Sequence, residues 1–290
     1  IRQDHGKNAL SEMETFDGFI CFPENRLEFY LKNHQGYYNT YHSLSKKPIE
    51  GDISNTKKFI AHIFGEQTEI GFDYLQLLYL KPTQILPILC LVCKERATGK
   101  STFLKWLKEI FEFNLTYLTN DSFTSNFNAD WASKLLICID EVLFQTEVLT
   151  ERIKYLSTTN INKIEAKGKD RKEIEFFGKF ILCSNNETSF IKIDADEIRF
   201  WVRKIDSYEK EDVLFLSMLI KEIPSFLYFL SNRQLHITDP STASRTLLFD
   251  VNKLDWDDDL LALFGATRTI LPSIVPSAGY AGDLDFGNGK

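Results

Sequence analysis

The sequence lacks an apolar run long enough to cross a membrane, a signal-like apolar start and an even number of cysteines. A spanning helix needs about 20 mostly apolar residues, so no membrane partner is expected. Five cysteines are an odd number for a disulfide framework and favour a reducing, cytoplasmic location. The chain opens IRQDHGKNAL, without an initiator methionine, which indicates a piece of a longer protein.

The composition is that of a globular protein without a strong excess of either charge. Among 290 residues, 43% are hydrophobic, enough for one large domain or two smaller ones. Lys and Arg number 34 against 41 Asp and Glu, for a net charge of -7. A protein with this balance can bind nucleic acid only through a local basic patch.

The spacing Cys90-x-x-Cys93 is a weak indication of a metal site. Both residues lie in the apolar run ILPILCLVC, which predicts a strand. Side chains three apart on a strand point to opposite faces, so the two thiols do not readily share a metal. Cys138 and Cys183 also lie in apolar runs, and we expect all four to be buried.

The order of apolar segments predicts an α/β fold. Residues 1–50 are aromatic-rich and show no clear period, so an irregular segment is expected, followed by a helical segment over 51–84. Over 85–235 the apolar runs ILPILCLV, KLLICID and FGKFILCSN are separated by helical patterns such as STFLKWLKEIF. Apolar strands separated by helices indicate a parallel central sheet.

The composition changes near residue 236, which suggests a domain boundary. Residues 236–290 contain eight Asp and no Glu, five Ala and only two Lys. One good helix is expected there, from Asp257 to Phe264, with acidic residues at its start and Gly265 at its end. The appendage is therefore predicted to be short and partly helical.

The stretch CKERATGKST is similar to a phosphate-binding loop of the form G-x-x-x-x-G-K-[ST]. Lys94 stands where the first glycine is usual, so a chance G-K-S is the alternative. The context favours the loop, because an apolar strand precedes it and an amphipathic helix follows. Lys100 would reach the phosphates and the Ser101 hydroxyl would hold Mg²⁺. The residues expected to bind ATP are Ala97, Thr98, Gly99, Lys100, Ser101 and Thr102.

Two carboxylates follow the second apolar run, in KLLICIDE. On their own, Asp140 and Glu141 would be a solvated acidic turn. Because they come some forty residues after a phosphate-loop lysine, a role in the ATP site is favoured over a plain turn. Asp140 is expected to take part in binding Mg²⁺, and Glu141 to orient or deprotonate the attacking water.

Polar groups after the third run and basic groups beyond it are further candidates. The run FILCSNN ends in Asn185 and Asn186, of which Asn185 is the preferred sensor of the terminal phosphate and Asn186 the alternative. In EIRFWVRKI, Arg199 and Arg203 are either surface arginines on an edge strand or a source of a finger that enters a neighbouring subunit's site. Head-to-tail placement of such a finger implies a ring.

The segment NKIEAKGKDRKEIEFFGKF alternates toward a tip at 167–170 and predicts a hairpin. Residues 163–172 hold five basic groups against two acidic ones. A solvated charged hairpin is one interpretation. In a ring ATPase, the other is a pore loop that grips a nucleic-acid backbone through Lys167, Lys169 and Lys172.

These motifs together resemble the superfamily 3 helicases, which belong to the AAA+ ATPases. More closely, the segments from ILPILCLVCKERATGKSTFLKWL to EIRFWVRKI resemble the helicase part of primase-helicase replication proteins from phages and mobile elements, over about 37–235. The resemblance implies ATP and Mg²⁺ as cofactors, a hexameric ring on single-stranded DNA, a primase domain upstream and the cytoplasm of a bacterial host. It also implies Lys100, Ser101, Asp140, Glu141, Asn185 and Arg199 in the roles given above.

Residues 236–290 resemble something different, an internal segment of FGGY carbohydrate kinases, especially glycerol kinase. The stretch TDPSTASRTLLFDVNKLDWDDDLLALFGATRTILPSIVPSAGYAG carries this resemblance. It stops before that family's catalytic aspartate, so a working sugar kinase is not expected, and a fusion or chimera is. The expected function is an ATP-dependent DNA helicase domain. The alternatives are a remodelling or loading AAA+ ATPase and an inactive origin-binding scaffold.

Overall fold

The computed structural model describes most of the chain between residues 18 and 274. The described residues are 18–23, 29–32, 35–95, 98–125, 127–141, 147–165, 172–187, 191, 197, 199–207, 214–235, 237–238, 249–250, 252–264, 268 and 272–274. In chain order the elements are β1 (Gly18–Ile20), β2 (Phe29–Lys32), β3 (Gln35–Asn39), α1 (Ser54–Phe64), α2 (Thr68–Leu80), β4 (Ile88–Val92), α3 (Lys100–Phe111), β5 (Leu115–Leu118), α4 (Asn120–Thr124), β6 (Leu136–Ile139), α5 (Glu147–Thr158), β7 (Ile161–Ile164), β8 (Lys172–Glu175), β9 (Lys179–Ser184), β10 (Phe200–Lys204), α6 (Phe215–Asn232), β11 (Ile237–Thr238), β12 (Phe249–Asp250), β13 (Asp255–Trp256), α7 (Asp258–Phe264) and β14 (Ser273–Ile274).

The expectation that residues 1–50 are irregular is wrong for part of that segment. Strand β3 lies between β1 and β2, parallel to β1 and antiparallel to β2. The side chain of Asn39 ties the end of this small sheet to the preceding chain, accepting a 2.9 Å hydrogen bond from the Phe22 amide and donating one to the Phe22 carbonyl oxygen. The pairing of β1 with β3 joins separate segments and leaves no periodic pattern in the sequence.

The predicted helical segment is present as α1 and α2. The apolar residues at helical spacing on α1, Phe59, Ile60, Ile63 and Phe64, are all buried. Gly65 ends the helix with φ 53°, a left-handed value that glycine adopts readily. A single 3₁₀ turn then leads into α2.

The predicted α/β fold is confirmed by a central sheet of five strands. The strand order is β10-β4-β9-β6-β5, and every neighbouring pair is parallel. Strands β4, β6 and β9 are buried along their whole length, as expected for strands covered on both faces. Strand β9 lies beside β6, and the expected burial of Cys90, Cys93, Cys138 and Cys183 is confirmed.

Helix α6 packs against the helical segment formed by α1 and α2. Its buried face includes Leu219, Ile223, Phe226 and Leu230, which belong to the same core as α1 and α3. Just beyond its end, the Arg233 guanidinium forms a buried ion pair with Asp73 on α2. No helix in the described part of the chain is long and apolar enough to cross a membrane.

In the last fifty residues, the described elements are short. The expected helix is present as α7, one residue shorter than predicted at its start. Trp256 is buried and its indole nitrogen donates to the Pro272 carbonyl oxygen at 2.9 Å. Arg268 binds Asp255 at 3.0 Å and Asp258 at 2.6 Å. The domain boundaries placed at 50, 84 and 235 stay predictions.

A buried lysine begins β9 at the amino edge of the central sheet. The Lys179 ammonium donates hydrogen bonds to the carbonyl oxygens of Pro82 and, at 2.7 Å, Phe177. Burial lowers the pKa of Lys179 to about 7, because desolvation penalises the charged form. The same group titrates near about 10.4 in an unfolded chain.

This difference predicts a pH-dependent stability. Between the two pKa values the unfolded chain binds more protons, so the free energy of unfolding should rise with pH, while the penalty is fully present below about pH 7. The measurement is urea denaturation of wild type and Lys179→Met between about pH 6.5 and 8.5. Above pH 7, the free energy of unfolding of wild type should rise relative to that of Lys179→Met by up to about 1.4 kcal/mol per pH unit. Equal pH dependence in both proteins would mean that Lys179 stays charged in the fold.

Candidate functional site

The turn between β4 and α3 ends in a glycine, the residue type that a phosphate loop would have at this position. Gly99 has φ 89°, a left-handed value, directly before the first residue of α3. A Cβ atom at this position would lie 3.2 Å from the Phe59 ring and 3.6 Å from the Ile63 side chain. Helix α1 therefore packs directly beneath Gly99, and only glycine fits without strain. Of the predicted loop residues, Ala97 lies outside the described part of the chain.

The amino end of α3 faces the carboxyl edge of the sheet. The helix has twelve residues, and no side chain caps its first turn. Its leading N–H groups and its dipole therefore favour an anion at this position. Ser101 is exposed and Thr102 half-buried in the first turn, while Thr98, just before Gly99, is buried.

Lys100 is held at the centre of the site. Its side chain is largely buried, and its Nζ donates a 2.9 Å hydrogen bond to Asn185 Oδ1. The same amine contacts the Cys93 sulfur. The structure thus brings together the predicted lysine and the preferred sensor residue. Asn186 instead donates its backbone amide to the Ser184 hydroxyl at 3.1 Å.

Asp140 and Glu141 follow β6 directly and are both exposed. Because β9 pairs with both β4 and β6, the ends of all three strands lie at one edge, and the carboxylates share that edge with Lys100. Glu141 has φ 56° and donates its amide to Asp140 Oδ1 at 3.1 Å. Asn120, at the start of α4, donates from Nδ2 to the Glu141 carbonyl oxygen at 3.1 Å. These two contacts hold an unfavourable backbone conformation in place.

Lys100 and Asp140 both act electrostatically on the buried thiol of Cys183. Burial raises the pKa of Cys183 well above its ordinary value. The Asp140 carboxylate raises that pKa further, and the Lys100 ammonium opposes the shift. Cys183 is the second-to-last residue of β9, between the strands that lead to Lys100 and to Asp140.

Arg199 lies at the opposite edge of the sheet. Its carbonyl oxygen accepts a 2.8 Å hydrogen bond from the Ile88 amide, at the amino end of β4. A five-residue strand rises about 3.3 Å per residue, so the two edges are on the order of 15 Å apart. The backbone of Arg199 is therefore placed away from the predicted phosphate loop of its own chain. Arg203, whose pKa burial lowers, pairs with Leu91 nearer the loop.

The predicted basic hairpin is present in its two strands. Strands β7 and β8 pair antiparallel, and the backbone of Lys172 lies opposite Ile164. The side chain of Asn128 secures the hairpin, donating to the Lys163 carbonyl oxygen at 2.8 Å and accepting from the Glu165 amide at 2.8 Å. The predicted tip residues Lys167 and Lys169 lie outside the described residues.

Two residues of the site were not predicted from the sequence. Cys93 was expected to be a buried small side chain, but its sulfur also accepts a 3.4 Å hydrogen bond from the Thr98 hydroxyl and contacts Lys100. Its position between strand and loop was the available sign. His62 on α1 donates from Nε2 to the Thr98 carbonyl oxygen at 2.9 Å. Nothing in the local pattern of α1 indicates this contact.

The residues present fit a nucleoside polyphosphate with a magnesium ion. The uncapped end of α3 and the Lys100 amine suit phosphate oxygens. Ser101 and Asp140 offer oxygen ligands, and Mg²⁺ usually takes only one or two from protein, with phosphates and waters completing its shell. No three His, Cys, Asp or Glu side chains cluster as a metal centre within the described ranges.

Two family models match different parts of the chain. Residues 91–203 match the family described as Family of unknown function (DUF5906), and residues 203–287 match the N-terminal domain of the FGGY family of carbohydrate kinases. The first match contains the predicted phosphate loop, both carboxylates, Asn185 and Arg199. The second begins within β10 and includes the segment in which the sequence resembles glycerol kinases.

Curated relatives of the chain include glycerol kinases, each of which matches a short stretch. Glycerol kinase of Xanthobacter autotrophicus is 50% identical over 64 residues, which cover 22% of this chain and 13% of that protein. Glycerol kinase 2 of Thermotoga maritima is 40% identical over 83 residues, covering 27% and 16%. For the Mycoplasma genitalium enzyme the values are 38% over 86 residues, 29% and 17%. The chain thus spans less than a fifth of each of these relatives.

Solved structures match the fold over most of the chain. An apo structure of the NrS-1 C-terminal region superposes with a TM-score of 0.65 at 19% identity, covering 75% of this chain and 55% of that one. A second apo form gives 0.66 at 20% identity, covering 80% and 60%. At this identity the likeness establishes a shared fold. The chain spans little more than half the length of those structures.

Proposed function

We propose that this chain is the ATP-hydrolysing domain of a phage or mobile-element replication protein, which uses ATP to move along single-stranded DNA. The observation that carries the proposal is the hydrogen bond between Lys100 and Asn185, at the sheet edge that also holds Asp140 and Glu141. A chance G-K-S would not place its lysine against the amide that follows a neighbouring strand. The solved structures that share the fold support the proposal as an analogy.

Within the site each residue has a separate role. The Lys100 ammonium binds the phosphate oxygens, and the end of α3 donates N–H groups to them. Ser101 and Asp140 hold the magnesium ion, which neutralises charge on the phosphates when bound. Glu141 accepts a proton from the attacking water, and its fixed backbone aims the carboxylate. Asn185 senses the terminal phosphate while it remains beside Lys100.

The ring is proposed from the position of Arg199. Because this exposed arginine lies at the sheet edge opposite the phosphate loop, it serves the site of a neighbouring copy. Copies related head to tail, each giving an arginine to the next, close into a ring, and we propose a hexamer. The basic hairpin with Lys167, Lys169 and Lys172 then contacts the DNA backbone in the pore.

The test is phosphate release from ATP, with and without single-stranded DNA, by the wild type and by Lys100→Ala. Lys105→Ala is the matched control, since Lys105 is an exposed lysine on the same helix. DNA-stimulated turnover that is lost in Lys100→Ala and kept in Lys105→Ala is expected. Turnover that DNA does not change would favour the remodelling or loading ATPase. Equal turnover in all three proteins would refute the assigned site.

A further inference from the structure

The carboxylate of Glu197 lies next to Arg199, and its side chain is only 8% exposed. One of its oxygens, Oε2, is 3.1 Å from the ammonium of Lys154 on α5. Lys154 is also 8% exposed and forms a second ion pair, 2.9 Å long, with Glu151 one turn earlier on the same helix. Helix α5 therefore fixes the orientation of the Glu197 carboxyl group.

The other oxygen of Glu197 holds the arginine. Oε1 accepts a 3.0 Å hydrogen bond from the Arg199 backbone amide and lies 3.2 Å from Arg199 Nε. The arginine side chain remains 42% exposed, and within the described residues Glu197 is its only ion-pair partner. With Nε beside Glu197, the outer edge of the guanidinium has no ion-pair partner among the described residues, and its remaining N–H groups can donate to a bound anion.

The Glu197 carboxylate and the Lys154 ammonium are both charged near neutral pH. Although burial opposes it, hydrogen bonds from the Arg199 amide and Lys154 hold the pKa of Glu197 below its ordinary range. Hydrogen bonding to Glu151 and Glu197 raises the pKa of Lys154 despite its burial. A free arginine would lose rotamer entropy each time it entered a site, and this restraint removes part of that loss in advance.

We propose that Glu197, held by Lys154, is a positioning residue that presets Arg199 for the nucleotide phosphates bound by a neighbouring copy. The inference rests on the ring ATPase proposed above and adds how its arginine is kept in place. Since the arginine acts on charge that develops during hydrolysis, a loss of positioning lowers kcat and leaves the KM for ATP unchanged.

The experiment compares ATP turnover by the wild type, Glu197→Gln and Glu151→Gln. Glutamine retains the size of the side chain but removes the charge that holds the guanidinium. Glu197→Gln should lower kcat by about 10- to 100-fold, as misplacement of a reacting group does, without a change in KM. Glu151→Gln removes the other, more exposed partner of Lys154 and should stay within about twofold of wild type. Lys154→Gln, which loosens the carboxylate from the other side, should reproduce the kcat loss.

A double variant separates positioning from a structural role. In an Arg199→Ala background, Glu197→Gln should have no further effect on kcat, because the arginine it positions is gone. An additional loss there, or wild-type turnover by Glu197→Gln, overturns this inference and leaves the ATPase proposal intact. Absence of any Lys100-dependent turnover in the wild type overturns both.

Discussion

In a mixture of two inactive variants, Lys100→Ala and Arg199→Ala, ATP turnover is expected to return. Arginine fingers contribute about 10³ to 10⁵ in rate in GTPases, so Arg199→Ala alone should lower kcat by at least about 10³. In a mixed ring, a copy that keeps Lys100 can receive Arg199 from a neighbour that lacks its own lysine. With equal random mixing, about one interface in four has both groups intact.

This result depends on the two residues lying at opposite edges of the sheet. The measurement is phosphate release at fixed total protein while the ratio of the two variants is changed, with a maximum expected near equal amounts. A mixture of Lys100→Ala with Glu141→Gln is the control. Those two residues serve the same site, so no pairing restores it. If the first mixture recovers no more turnover than this control, Arg199 does not act between copies.

Glu141→Gln is expected to lower ATP turnover by about 10² to 10⁴, the range that general base catalysis contributes. ATP binding should persist, because the amide has the same shape and Lys100 and the end of α3 are unchanged. The exposed Glu147, at the start of α5, provides a control of the same type, and Glu147→Gln should behave as wild type. Equilibrium binding of a fluorescent ATP analogue, measured beside single-turnover hydrolysis, separates the two steps.

Loss of the contact that holds the Glu141 backbone should also affect turnover. Its left-handed conformation is held by Asn120, so Asn120→Ala should also reduce kcat, though by less than loss of the carboxylate itself. A kcat within about threefold of wild type for Glu141→Gln would remove Glu141 from the role of base, since that loss is smaller than general base catalysis supplies.

The features of the site that depend on side-chain spacing within a single strand, turn or helix were predictable from the sequence. An apolar strand, a glycine before a lysine and an amphipathic helix place Lys100 at a strand-to-helix turn, and the structure has that turn. The apolar run before Asp140 predicted a buried strand, and β6 is buried throughout. Because parallel strands share one carboxyl edge, the lysine and the carboxylates that follow β4 and β6 lie at the same edge of the sheet.

The parts that depend on pairing between distant segments were not predictable. The small sheet of β1, β2 and β3 was expected to be irregular. The pairing of β1 with β3 joins separate segments without a shared period, and the short hairpin of β2 and β3 was missed as well. The contact of Lys100 with Cys93 depends on where α3 begins relative to the end of β4. The support of Thr98 by His62 depends on α1 packing beneath that loop.

The sequence alone determined the kinds of groups available, the buried strands that carry them and the turn in which the lysine lies. Those features follow from side-chain spacing within one element, which has a fixed period. Only the tertiary structure decided that Asn185 reaches Lys100, that Arg199 lies at the far edge and that Glu197 joins it to Lys154. Each of these depends on strand order and on contacts across tens of residues, and no local period encodes them.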